Sequence, residues 1–259
     1  MLKLKFTHND YYLGQIYDEL LFRAGKDLRG GYITPDDFNR AIKIVNQRYL
    51  NKLVDNFENS REITSDLQTF IKTLGSPQYP ALAFTPVLAG RPERGGYATI
   101  PADIWYQATA SFLEILNKEC SYETNYRSVE FVSQHEFDAK MRNSITSPVD
   151  NPQENDPILV TRNDRYFIYP YMPRINFTYI REPIQPVFDY QIESGIPVYL
   201  PPGSVHTNAT TAPIDTPSAS VEFEYPESCL DHLTDLIKTY IGIGNENQWN
   251  IETQMPSKV

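Results

Sequence analysis

The first 75 residues carry apolar residues three and four positions apart, which is the spacing of amphipathic helices. A first helix is predicted from the apolar series Leu13, Ile16, Tyr17, Leu20, Leu21 and Ala24. The string Thr34-Pro35-Asp36-Asp37 predicts the start of a second helix, because Thr caps a helix, Pro suits its first position and acidic residues favour its first turn. The buried stripe of that helix is predicted to contain Phe38, Ala41, Ile42, Val45, Tyr49 and Leu53. A third, shorter helix that ends at Gly75 is predicted from Leu67, Phe70, Ile71 and Leu74.

After residue 75 the pattern changes to the period of two that is typical of strands. All but one of the 20 prolines lie in this part of the chain. Three apolar and aromatic runs, separated by turns, predict an antiparallel meander over residues 158–161, 166–171 and 175–181. Residues 104–116 fit a strand or a helix equally well, and residues 130–144 predict one polar helix.

The last part of the chain predicts further strands and a closing helix. The strand candidates are residues 188–191, 198–200 and 219–225. Between the last two lies the charge-poor segment 201–218, for which we predict an extended arm ordered by a neighbouring subunit; the alternative is a mobile hairpin loop. The closing helix starts at Pro226 and Glu227, ends at Gly242, and buries Leu230, Leu233, Ile237, Tyr240 and Ile241.

These patterns together predict an α+β fold. Its parts are an N-terminal helical bundle, a central, mostly antiparallel β-region and a C-terminal amphipathic helix. The predicted ranges are 1–75 for the helical subdomain, 76–242 for the β-rich region with the closing helix, and 243–259 for a tail. We expect one compact protein with two subdomains, since 259 residues suffice to bury a core without disulfides or metals.

Charge narrows the choice of partners. The net charge is −10, and residues 182–259 hold 11 acidic residues against two basic ones. A protein that follows phosphates usually carries a basic stripe, so we expect no sequence-specific contact with nucleic acid. This acidic last part of the chain, residues 182–259, is suited to repelling nucleic acid or to facing a basic protein surface. The uncharged stretches 73–90 and 194–214 are interrupted by prolines, and no membrane span or secretory signal is expected.

Histidines and cysteines do not form a recognisable motif. His135-Glu136 begins like a zinc-protease helix, but Ala139 occupies the position of the second histidine. Asp231 and His232 lie near Cys229 and would point about 100° apart on a helix. Cys120 is 109 residues away from Cys229, so two reduced thiols are expected. Residues 90–96 contain glycines but lack the lysine and hydroxyl of a phosphate loop, and we therefore predict no metal and no cofactor.

Glu222 and Glu224 are the best candidates for a catalytic pair. Alternate residues of a strand share a face, and two carboxylates on one face would suit glycoside hydrolysis. The interpretation we favour is a solvated strand face followed by the acidic start of a helix at Glu227. The 18 tyrosines fit either protein interfaces or cross-strand packing, and the sequence leaves both open.

Several strings resemble a virion protein family of crAss-like tailed bacteriophages. They are Gly31–Ala41, Tyr49–Asn51, Ser65–Leu67, Gly96–Asp103, Pro173–Pro183, Pro186–Tyr190 and Val221–Pro226. They span most of residues 30–242. The resemblance does not extend to residues 201–218 or to the tail after Gly242.

The resemblance implies a structural ring protein of the phage neck, a head-to-tail connector between the portal and the tail. It implies a homo-oligomeric ring that is twelve-fold if it follows the portal, contacts with portal and tail proteins, assembly in the host bacterial cytoplasm, and no enzymatic activity. No catalytic residue is carried over. The alternatives are another tail, collar or baseplate component and, less favoured, a phage glycan hydrolase acting through Glu222 and Glu224.

Overall fold

The computed structural model describes residues 12–26, 33–60, 65–91, 94–118, 121–151 and 155–242. The helices are α1 (Tyr12–Lys26), α2 (Pro35–Ser60), α3 (Ser65–Gln68), α4 (Gln134–Arg142) and α5 (Leu230–Ile241), with a 3₁₀ turn at Glu227–Cys229. The strands are β1 (Ile71–Leu74), β2 (Leu82–Ala83), β3 (Thr85–Pro86), β4 (Gly96–Thr99), β5 (Ile104–Lys118), β6 (Ser121–Ser128), β7 (Glu130–Val132), β8 (Ile158–Arg162), β9 (Arg165–Tyr169), β10 (Arg174–Arg181), β11 (Tyr190–Glu193) and β12 (Ile196–Tyr199). The fold is α+β, as the sequence predicted.

The chain forms two compact units. Unit 1 contains residues 1–69 and 183–259, and unit 2 contains residues 70–182. This division differs from the predicted ranges 1–75 and 76–242, because α5 packs on the N-terminal helices. Lys238 of α5 pairs with Glu19 of α1 at 3.1 Å, and Tyr225 just before α5 packs edge-on against Tyr49 of α2. The predicted tail, 243–259, lies outside the described residues.

Unit 1 has its core between α1, α2 and the chain after residue 183. Helix α2 starts as predicted, with the Thr34 hydroxyl accepting the Asp37 backbone N–H at 3.1 Å. The rings of Tyr17, Phe38 and Phe188 meet in the core at centroid distances of 4.7–5.1 Å. This aromatic centre joins both predicted amphipathic helices to a segment that follows them by about 150 positions.

The third predicted helix is wrong beyond its first turn. α3 ends at Gln68, and residues 71–74 form β1, which pairs antiparallel with β10 from Ile71↔Ile180 to Leu74↔Phe177. Over so few residues the helical and strand patterns of Leu67, Phe70, Ile71 and Leu74 are hard to separate. Pairing with a strand more than 100 positions later decides the conformation.

Unit 2 contains two five-stranded sheets. In the first, the order is β1-β10-β5-β6, and β2 also pairs with β10; in the second, it is β3-β4-β9-β8-β7. All pairs are antiparallel except β7 with β8. The buried rings of Tyr166, Phe177 and Tyr179 belong to its core. The region is therefore mostly antiparallel, as predicted.

The predicted meander is correct for its first two strands only. β8 and β9 form a hairpin whose turn residues Asn163 and Asp164 have φ of 46° and 59°, as a two-residue type I′ turn requires. The third run forms β10, but it pairs with β1, β2 and β5 rather than with β9. A period of two predicts that a segment is a strand and does not identify its neighbour.

One ambiguous segment of unit 2 is resolved, and one predicted helix is corrected. Residues 104–116 belong to a single long strand, β5. The predicted helix at 130–144 is wrong at its start, because residues 130–132 form β7 and the helix begins only after Ser133. The Ser133 hydroxyl accepts the Glu136 backbone N–H and the Glu136 carboxylate accepts that of Ser133, so a capping box fixes this start.

The late strand candidates of unit 1 have different outcomes. Residues 188–191 and 198–200 overlap β11 and β12, which form a hairpin. Residues 219–225 form no strand and contribute only the bridge Val187↔Val221, so that prediction is wrong. α5 ends as predicted at Gly242, whose φ is 84°. No described helix is both long and apolar enough to cross a membrane.

Candidate functional site

Glu222 is a structural acceptor at the start of α1. Its carboxylate accepts the backbone N–H of Leu13 at 3.0 Å, and the hydroxyl of Tyr199 donates to its other oxygen. The first amides of a helix lack intrahelical partners, and the helix dipole favours a negative charge there. The predicted solvated strand face is therefore wrong for Glu222, which is half-buried and joins α1 to β12.

Burial dominates the electrostatics of Glu222. It raises the pKa of this carboxyl above its ordinary value, although the hydrogen bonds from Tyr199 and from the backbone of Leu13 and Tyr12 act in the opposite direction. Tyr199 is itself held in place, since its ring stacks on Phe188 with centroids 5.0 Å apart. A Cβ on Gly14 would lie 2.8 Å from the Tyr199 ring, so the glycine allows this close approach.

Glu224 has a similar role at a different place. Its carboxylate accepts the backbone N–H of Ile184 at 2.6 Å. The hydroxyl of the neighbouring Tyr225 donates to the backbone carbonyl of Asn46 on α2 at 2.9 Å. Glu227 is exposed in the 3₁₀ turn. Glu222 and Glu224 thus each bind the backbone of a different segment, Glu222 that of α1 and Glu224 that of residue 184.

The structure separates the cysteine and histidine candidates. Cys229 is 1% exposed, and burial raises the pKa of its thiol. Asp231 and His232 are exposed, and Nε2 of His232 lies 3.0 Å from Nζ of Lys52. His135 is exposed in the first turn of α4. Across the described ranges, no three or more His, Cys, Asp or Glu side chains are placed to hold a metal ion.

Sequence reasoning missed a buried polar cluster in unit 1. His206 is 2% exposed, and its Nε2 lies 3.0 Å from Oδ2 of Asp189. The same Asp189 oxygen accepts the backbone N–H of Ala219 at 2.9 Å. Gln191, also buried, accepts both the backbone N–H and the hydroxyl of Thr207, at 3.0 and 3.1 Å. A lone histidine in a charge-poor segment carries no sequence pattern that predicts such a cluster.

This cluster fixes the segment 201–218, which we call the strap. The strap folds back on itself at the bridge Val205↔Pro217. Along β11, the hydroxyl of Thr211 donates to the Tyr190 carbonyl at 2.9 Å, and the Asn208 amide donates to the Ile192 carbonyl at 3.1 Å. The prediction of an arm ordered by a neighbouring subunit is therefore wrong, because the strap is ordered by its own unit.

Unit 2 contains a second polar cluster that the sequence did not indicate. Nζ of Lys72 lies 2.9 Å from Asp103, and the hydroxyl of Tyr179 donates to the same carboxylate at 2.7 Å. Burial alone would raise the pKa of Asp103, but the bonds from Tyr179 and Lys72 outweigh it and lower that pKa. Burial and the bond to Asp103 raise the pKa of Tyr179. The cluster ties β1 and β10 to the residue that precedes β5.

The β5–β6 pair extends beyond the rest of its sheet. β5 pairs with β10 only as far as Ser111, whereas residues 112–118 pair with residues 121–127 of β6. Within the described strands these positions pair with no third strand. Tyr126 in this ribbon is 70% exposed. A two-stranded ribbon is marginally stable by itself, so a contact with another surface would stabilise it.

Two comparisons, with protein-family models and with curated proteins, found no relative of the chain. The family resemblance therefore rests on the sequence strings alone.

Proposed function

We propose that the protein is a structural component of a tailed-phage virion, a head-to-tail connector ring between the portal and the tail. The proposal begins from the family resemblance, whose strings lie in both units. Gly31–Ala41 and Val221–Pro226 belong to unit 1, and Gly96–Asp103 belongs to unit 2. The resemblance implies a homo-oligomer, which would be twelve-fold if it follows the portal, with portal and tail proteins as neighbours.

The observation that carries the proposal is the use of the candidate carboxylates. Glu222 and Glu224 accept the backbone amides of Leu13 and Ile184, which lie 209 and 40 positions away. A general acid or a nucleophile needs its carboxylate free to reach a substrate. Here both carboxylates are used to fix distant segments, which favours a structural role over glycan hydrolysis.

The β5–β6 ribbon supports a role in assembly. Its positions 112–118 and 121–127 leave the outer backbone groups of both strands without a neighbouring strand among the described residues. Open strand edges readily pair with other chains. An extended ribbon with an exposed tyrosine, Tyr126, suits a subunit that contacts neighbours in a ring.

Purified particles test the proposal. We expect quantitative mass spectrometry to find this chain at the copy number of the portal protein. The same measurement on head intermediates that lack a tail would show whether the chain joins the particle before the tail does. Its absence from particles would overturn the proposal. A copy number that follows the tail fibres or the baseplate would instead support one of the other virion positions.

A second measurement addresses the enzyme alternative. Glu222→Gln and Glu224→Gln are expected to leave infectivity near that of the wild type, because an isosteric amide keeps one oxygen for each backbone donor. Loss of infectivity in particles of normal composition would instead support catalysis, since neutralising a catalytic carboxylate costs orders of magnitude in rate.

A further inference from the structure

One face of β12 leaves two aliphatic side chains open to solvent. Ile196 and Val198 are 61% and 38% exposed. They lie two positions apart on one strand, so they share a face and are separated by about 7 Å along it. Tyr199 belongs to the opposite face, where its ring stacks on the buried Phe188. Ile196 and Val198 thus form a short apolar strip, which we call the β12 strip.

Polar groups border the β12 strip on the side of β11. Gln191 pairs with Val198 across the hairpin. Glu193 pairs with Ile196, and directly paired residues of two strands share a face. Gln191 is buried, and it binds both Thr207 of the strap and the carboxylate of Glu193. Glu193 itself is exposed, so an occupant of the strip meets an apolar surface with a carboxylate beside it.

The start of α1 lies against the opposite face of β12. A Cβ on Gly14 would lie 3.5 Å from the Cβ of Tyr199. The backbone N–H of Leu13 and the hydroxyl of Tyr199 also donate to the same carboxylate, that of Glu222. The chain that precedes α1 therefore joins the helix beside this strand. Residues 1–11, which make up that chain, lie outside the described residues.

The segment before α1 has a sequence and a length that suit it to the β12 strip. Residues 2–6 read Leu-Lys-Leu-Lys-Phe, so an extended backbone would place the three apolar residues on one side and the two lysines on the other. Phe6 is six positions before Tyr12, a span of up to about 20 Å in an extended chain. A layer that packs on a sheet lies about 10 Å from it. The segment is therefore long enough to pass the edge of β12 and reach the strip.

Charge also favours this segment as the occupant. It carries Lys3 and Lys5, and no acidic residue precedes Asp10. Residues 182–259 hold 11 acidic residues and two basic ones, and the exposed Glu193 stands beside the strip. A basic segment is attracted to this acidic part of the chain. Its covalent link to α1 gives it a high effective concentration there, which no separate partner has.

We propose that residues 2–6 cover the β12 strip of their own chain. The apolar side of the segment, centred on Leu4, packs on the strip. The long flexible stems of the two lysines let their ammonium groups turn towards Glu193. This contact is independent of the connector function, because it lies within one unit of one chain.

Disulfide trapping in the full-length chain tests this contact. Leu4→Cys and Val198→Cys are combined with Cys120→Ser, and the native Cys229 is kept because it is 1% exposed. The reference pair is Leu4→Cys with Ile184→Cys, since Ile184 is 57% exposed in the same unit but lies outside the hairpin and the strap. Under diamide, we expect the Val198 pair to form an intramolecular disulfide at least about tenfold faster than the reference pair, at a rate independent of protein concentration.

Further variants of the Val198 pair separate packing and charge from simple tethering. Leu2→Asp with Phe6→Asp keeps the tether and both cysteines but removes apolar side chains, and it should slow trapping by about tenfold. Lys3→Glu with Lys5→Glu should slow trapping by about threefold, as expected for exposed ion pairs. The matched control, Lys3→Arg with Lys5→Arg, keeps both charges and should leave the rate unchanged.

Equal trapping rates at Val198 and Ile184 would overturn the proposal. An unchanged rate in the Leu2→Asp, Phe6→Asp variant would also overturn it, because tethering alone would then explain the capture. Disulfide-linked dimers in place of the internal disulfide would show that the segment comes from a second copy, which contradicts the assigned occupant. Absence of the chain from phage particles, by contrast, would overturn the connector function and leave this contact unaffected.

Discussion

Replacement of Glu222 by leucine tests whether this carboxylate stabilises the start of α1. Leucine has a similar size but accepts no hydrogen bond, so the backbone N–H of Leu13 and the hydroxyl of Tyr199 lose their acceptor. A buried donor without a partner costs about 1–3 kcal/mol. Both donors lie in a half-buried site that water can partly reach, and we expect Glu222→Leu to lower the free energy of unfolding by about 2–3 kcal/mol.

Glutamine at the same position separates the hydrogen bonds from the charge. Its Oε1 keeps the bond to Leu13, and its amide group can donate to the Tyr199 hydroxyl oxygen, so the loss should be below about 1 kcal/mol at pH 7. Burial raises the pKa of Glu222, so the ionised carboxylate costs stability, and that cost grows as the pH rises from the ordinary value of 4.5 through the raised value. The free energy of unfolding of Glu222→Gln, compared with that of the wild type at the same pH, should therefore become more favourable as the pH rises from 4.5 to 7.

Urea unfolding at each pH measures these differences as shifts of the midpoint at an unchanged slope. Glu227→Leu is the control, because Glu227 is exposed in the same part of the chain and should change the free energy by no more than about 0.5 kcal/mol. A Glu222→Leu protein as stable as this control would refute the capping role.

Other predictions concern the two polar clusters that the sequence did not indicate. Asp103→Asn should destabilise the protein by about 1–2 kcal/mol at pH 7 by urea unfolding. The pKa of Asp103 is lowered in the folded protein, so the difference in free energy of unfolding should shrink as the pH falls below 3.8, the ordinary pKa of an aspartate. A difference that stays constant over this pH range would contradict the electrostatic role of the cluster. The strap of the free wild-type chain should resist proteases, and His206→Ala should speed cleavage within residues 201–218 by about tenfold, whereas His135→Ala, at an exposed position, should not. Rapid cleavage in the wild type would show that the strap is not held by its own unit.

The sequence correctly predicted those elements whose formation depends on residues that are close together along the chain. Thr34 and Asp37 lie three positions apart, and their hydrogen bond forms as the pattern indicated. The turn at Asn163 and Asp164 similarly determines a hairpin from two residues. Such features are independent of the rest of the chain, so sequence periodicity and turn chemistry suffice to find them.

Features that depend on distant pairing were missed. Whether residues 71–74 form a helix or a strand depends on β10, and the role of Glu222 depends on Leu13, which is 209 positions away. His206 and Asp189 are 17 positions apart without a motif that joins them. In each case the pattern of one segment is consistent with two conformations or roles, and the contact with a remote segment selects one of them.

A density map of the particle's neck is the most direct test of the connector function. The proposal predicts a closed ring between the portal and the tail, with the symmetry of the portal, into which unit 1 and unit 2 can be fitted as separate bodies. The bulky residues Tyr166, Phe177 and Phe188 should match side-chain density in every subunit of that ring. A fully interpreted neck in which every ring is built by other chains would contradict the account.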